Sequence, residues 1–242
     1  ITTASREAQE YFNQGLMLSY GFNHAEAARS FYEATRLDST CAMAFWGYAY
    51  VLGPNYNGGM ESDNFSRAYQ AIKKAQSLSG KCTPVEKALI EALAARYSAN
   101  PPADRSSLDI AYASAMKKVY DRYGNRADVA ALYADALMLL HPWKYWKKSG
   151  QPEPWTPEII RVLEKTLASD PEHPGANHYY IHMVEASPDP GKALASADRL
   201  PSLMPGAAHM VHMPSHIYIR TGYYQKGVNV NTQSQVSYQN YL

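Results

Sequence analysis

After a polar lead-in over residues 1–7, apolar positions return at helical spacing in runs of 11 to 15 residues, separated by stretches rich in Gly, Pro, Asn and Ser. AMAFWGYAYVL from Ala42, SRAYQAIKKAQSL from Ser66, ADVAALYADALMLL from Ala127 and PEIIRVLEKTLASDP from Pro157 each read as a helix. Thr83-Pro84-Val85-Glu86 has the form of a capping box with Pro in the first turn, so a helix is expected to open there. The interruptions GPNYNGGMESDN, ANPPADRSS and HPWKYWKKSGQPEPWTP carry turn chemistry and no periodicity. The pattern predicts an all-α protein.

The helices come in pairs with a repeated internal code. In the first pair Tyr11 takes a large aromatic slot and Gly15 a small slot where two helices touch. Ala27, Phe31 and Ala34 give small, aromatic and small positions in its second helix. Phe45 and Ala49, then Ala68, Ile72 and Ala75, repeat the code, as do Ile159, Leu163, Thr166 and Pro171 further on. Small residues let helix pairs approach, and larger ones fill the space between successive pairs. The intervals from His178 to His212 and from His182 to His216 are both 34 residues.

With that period and those slots the chain resembles the tetratricopeptide repeat family from residue 8 onward, with Ser39 standing where a closing Pro is usual. Six repeats are expected, at about 8–41, 42–82, 83–126, 127–173, 174–207 and 208–242, in one continuous domain. The phrases NHYYIHMVEAS and HMPSHIYIRTGYY look like a bacterial subset of the family. The resemblance implies a right-handed solenoid of helix pairs, with the first helix of each pair lining a concave groove. It also implies a scaffold for a peptide or protein partner. Solenoid ends can self-stack, and the last helix lacks a polar cap, so more chain is expected after Leu242.

Composition narrows the classes. A formal charge of +1 and no Lys/Arg run argue against nucleic acid. With 46% hydrophobic and 19% charged residues the chain is globular, and no apolar run reaches the length of a membrane span. A chain starting at Ile1 fits an exported mature form, the alternative being a cytoplasmic protein. Cys41 and Cys82 fall at equivalent repeat positions, too far apart for a disulfide, and are expected as buried thiols.

The chemistry centres on histidine. The family architecture turns the second, fifth and ninth positions of each first helix toward the groove. His178 and His182 are then fifth and ninth of one repeat, His212 and His216 those of the next, with His209 at its second. Glu91 and Asp135 are the ninth positions of earlier repeats. Imidazoles converging from neighbouring helices suit zinc, copper or iron, with Glu185 or Asp135 as an orienting group or base. The same spacing also arises from a hydrogen-bonded interior pair or a polar groove lining. Asn177 and Arg220, with Lys87, lie near positions where the family clamps a terminal carboxylate, though histidines hold the key ones. Trp143, Trp146 and Trp155 sit on the longest insertion, placed to roof the groove or to pin the loop. Pro214 interrupts the expected helix between His212 and His216 and either kinks it or delays its start. No Ser-His-Asp order, phosphate-binding Gly loop or Cys nucleophile context is present. Two functions follow: an interaction scaffold with a His-lined groove, or a metal-binding protein or metal-dependent enzyme.

Overall fold

The structure, a computed structural model, describes residues 1–241. It is all-α. Among the described residues no strand forms, and two isolated bridges, Asn55 with Gly58 and Trp146 with Pro152, lie in loops. Among the described residues no helix is long and apolar enough to cross a membrane. The chain divides into two compact units, Ile1–Gly124 with Asp135–Leu140, and Asn125–Ala134 with His141–Leu242.

The first unit contains α1 (Arg6–Tyr20), α2 (His24–Leu37), α3 (Ala42–Leu52), α4 (Asn64–Leu78), α5 (Pro84–Ala94) and α6 (Ser106–Tyr123), each packed on the next. Ser5 caps α1 by accepting from the Ala8 amide, and Thr83 with Glu86 forms the expected capping box on α5. On α1 the buried stripe is Ala8, Phe12, Gly15 and Ser19, a run of four- and three-residue steps that stays on one face. Tyr11 lies on the flank of that stripe and is 38% exposed, so Phe12, not Tyr11, fills the aromatic slot. The same one-residue correction applies to α3, where Trp46 is buried and Phe45 only partly so.

Phe12 meets Phe31 edge-on at 5.3 Å between centroids, and Trp46 stacks on Tyr50 at 5.4 Å. The Trp46 indole donates to the Leu89 carbonyl at 3.1 Å, which satisfies its one polar atom. Gly15 and Gly47 both face the Phe31 ring, and a Cβ on Gly15 would come within 2.9 Å of it. Cys41 and Cys82 are buried free thiols, as expected, and burial raises the pKa of each.

The helix α7 (Ala127–Leu140) gives its first residues to the second unit and its last to the first. The second unit continues with α8 (Thr156–Ser169) and α9 (Pro174–Val184). A 3-10 turn at Pro190–Ala193 leads into α10 (Leu194–Leu203), and α11 (Ala208–His212), α12 (Pro214–Arg220) and α13 (Tyr224–Tyr241) follow. α9 is central: α8, α10 and α12 pack on it, and every residue from Gly175 to Val184 is buried. A helix covered on all sides is apolar all round, and PGANHYYIHMV departs from that only at Asn177, His178 and His182 among strongly polar side chains. His173 caps it, its Nδ1 accepting from the Ala176 amide at 3.1 Å.

Pro214 begins α12 at its first position, where the missing N–H costs nothing. Met213 between the two short helices keeps helical backbone angles (φ −50°, ψ −38°). The break is therefore local, and the His216 amide bonds back three residues to Met213 at 3.2 Å.

Candidate metal centre

Five imidazoles from three short stretches of the second unit close into a ring. Centroids are 4.8 Å apart for His178–His182 and 5.8 Å for His182–His216. They are 5.0 Å apart for His216–His212, 6.3 Å for His212–His209 and 4.9 Å for His209–His178. α9 supplies His178 and His182 one turn apart on one face; α11 supplies His209 and His212, and α12 supplies His216. All five sequence-predicted histidines are thus brought together, and the continued helical path through Met213 is what keeps His212 in line with His216.

The nitrogens converge more closely than the rings. The Nε2 atom of His178 lies 3.1 Å from Nε2 of His182 and 3.1 Å from Nε2 of His209. These three residues offer ligand atoms all within 4.8 Å of one another. A tetrahedral ion with M–N bonds of about 2.0–2.1 Å holds its nitrogens about 3.3 Å apart, so each of the two 3.1 Å separations from His178 is close to the spacing of adjacent corners of such a site. His178 and His182 are 0% and 3% exposed. Burying imidazoles nitrogen to nitrogen without a cation or shared proton between them is costly, which gives this geometry chemical meaning.

Glu185, one turn past His182, bridges two of the rings. Its Oε1 accepts from His182 Nδ1 at 3.1 Å and its Oε2 from His216 Nδ1 at 2.6 Å. Burial by itself raises a carboxyl pKa, but the bonds from His182 and His216 outweigh it and hold Glu185 down to about 2. A carboxylate on Nδ1 fixes the tautomer and aims Nε2 inward, the arrangement that commonly backs a metal-ligating histidine. Burial, followed by the neighbouring imidazoles, lowers the pKa of His209 to about 3, and burial lowers that of His182 as well. A proton and a metal compete for the same lone pair, so rings that resist protonation are suited to a metal.

The other predicted residues sort by position. Asn177 is buried and spends its side-chain N–H groups on the Pro171 and His173 carbonyls, a local brace under the helix start and not a ligand clamp. Trp146 donates from its indole to the Met183 carbonyl at 2.7 Å, pinning the insertion to α9. Trp143 stands edge-on to His182 at 5.9 Å, with 60% exposure and left-handed backbone (φ 62°). The loop is thus pinned by Trp146, while Trp143 lies against His182. Arg220 is exposed beside a cavity of about 360 Å³ whose wall includes His216, Glu185, Tyr224 and Val228. Asp135 and Glu91 belong to the first unit, with partners of their own. Asp135 accepts from Tyr50 at 2.9 Å and is raised by burial, and Glu91 is exposed and bonded to Gln76.

The sequence reading missed Asn231 on α13, whose Oδ1 accepts from His212 Nδ1 at 2.6 Å. An Asn in a polar run 19 residues away carries no periodic signal. The chain matches no protein-family model, and no curated protein matches it significantly.

Proposed function

We propose that this protein binds a transition-metal ion through His178, His182 and His209. The observation that carries the reading is the pair of 3.1 Å Nε2–Nε2 separations centred on His178, a fully buried side chain of the second unit. All-nitrogen donors favour zinc, copper, iron or nickel over calcium or magnesium. Three protein donors leave a fourth position open, and an ion so held supplies Lewis acidity or a bound water of lowered pKa. Glu185 orients one donor, His182, and its second bond runs to His216 on the wall of the adjacent cavity.

The tetratricopeptide-type solenoid remains part of this proposal. Consecutive helix packing and the contacts of Gly15 and Gly47 with Phe31 support it. A peptide-binding groove is the weaker of the two functional readings, because His178 and His182 are buried where a groove wall would be open. Elemental analysis of untagged protein tests the choice. One or more equivalents of zinc, copper, iron or nickel, lost in His178→Ala, supports the metal reading. Metal-free protein that takes up none of the four on titration overturns it.

A further inference from the structure

We infer that the ring of five histidines holds two metal ions, the second between His212 and His216. This rests on the first position being a metal site, and it adds a second position to it.

The two rings are placed as a chelating pair. They lie four residues apart across the Met213 junction, with Nε2 atoms separated by 3.0 Å. Each has its other nitrogen committed to an acceptor. His212 Nδ1 donates to the Asn231 amide oxygen at 2.6 Å, and His216 Nδ1 donates to Glu185 at 2.6 Å. With both Nδ1 protons so used, two Nε2 lone pairs face each other across 3.0 Å. Ion and ring nitrogens at about 2.0–2.1 Å would close that gap with a bond angle near a right angle, which four-, five- and six-coordinate ions accept.

A single ion serving all five rings is disfavoured by distance. Among the described residues the set whose donor atoms lie within 4.8 Å of one another is His178, His182 and His209, without His212 or His216. The ring is therefore two clusters, one of three nitrogens and one of two, and Glu185 fastens one member of each. The second position has fewer donors and faces the cavity beside Tyr224 and Val228, so its open sites are accessible to water or an anionic ligand near Arg220.

Titration of metal-free full-length protein with Zn2+, followed by competition with a chromophoric chelator, tests this. Two equivalents are expected in two steps, the later one weaker, with one equivalent remaining in H212A/H216A. In E185Q both steps should weaken, by about 10–100-fold, since the carboxylate backs a ring in each cluster. One equivalent in the native protein would overturn the second position while leaving the first intact. Two equivalents in H212A/H216A would overturn its assignment to these rings. Zero equivalents would remove the first site also. Circular dichroism of each variant separates loss of binding from loss of fold.

Discussion

His178 and His209 lie 31 residues apart in the chain and meet through their Nε2 atoms at 3.1 Å. The contact joins the buried helix α9 to α11, so any ion between them would crosslink the two elements. An ion binding the folded state alone adds about 2.7 kcal/mol of stability at a free concentration one hundred times its Kd. Calorimetry of the metal-free protein with added Zn2+ should show a rise in Tm of about 2–4 °C for each kcal/mol, reversed by a chelator. His209→Ala should abolish most of that rise.

Trp143 offers an optical report on the same site. Its ring sits 5.9 Å from that of His182. Cu2+ bound at the histidines should quench a large part of the tryptophan emission, and Trp143→Phe should remove most of the quenching while leaving Cu2+ stoichiometry unchanged. Equal quenching in the variant would place the ion elsewhere.

The first unit carries its own pH signature. Burial lowers the pKa of His24 from 6.5 to about 4, its Nδ1 lying 3.1 Å from the Val51 carbonyl. The folded state thus binds fewer protons than the unfolded one between these values, so stability should fall as pH drops from about 6.5 toward 4. His24→Gln should flatten that part of the profile in urea melts at a series of pH values. His182 and His209 act in the same direction in the metal-free protein.

Gly15 is the sharpest packing test. A Cβ there meets the Phe31 ring at 2.9 Å, and overfilling a packed contact costs about 1–3 kcal/mol. Gly15→Ala should lower the urea midpoint accordingly and Gly15→Leu more, whereas Tyr11→Ala, on the exposed flank, should shift it by less than about 1 kcal/mol.

What the chain discloses before any coordinates depends on whether information is local. The doublets His178/His182 and His212/His216 each lie one helical turn apart, and the spacing alone gives their shared direction. Glu185 follows His182 by three residues and was legible for the same reason. The aromatic register differs by one position because Tyr11-Phe12 and Phe45-Trp46 are adjacent aromatics, and only the packing of α1 and α3 on their neighbours decides which enters the core. Asn231 was invisible, since its role comes from how α13 folds back on α11. Asp135 and Glu91 are expected from the repeat numbering alone to stand where the histidines do, yet Tyr50 and Gln76 are their neighbours, so numbering does not carry over into equivalence of surroundings.

The burial of α9 has a kinetic consequence. His178 and His182 present almost no surface of their own, while His209, His212 and His216 keep partial exposure. An ion seated between His178 and His182 would then exchange past the partly exposed outer rings, of which His216 lines the cavity beside Tyr224 and Val228. How quickly a chelator empties the protein should then be governed by residues that never touch the cargo, and bulk added at Gly227 would slow departure without altering how tightly the cargo is finally held.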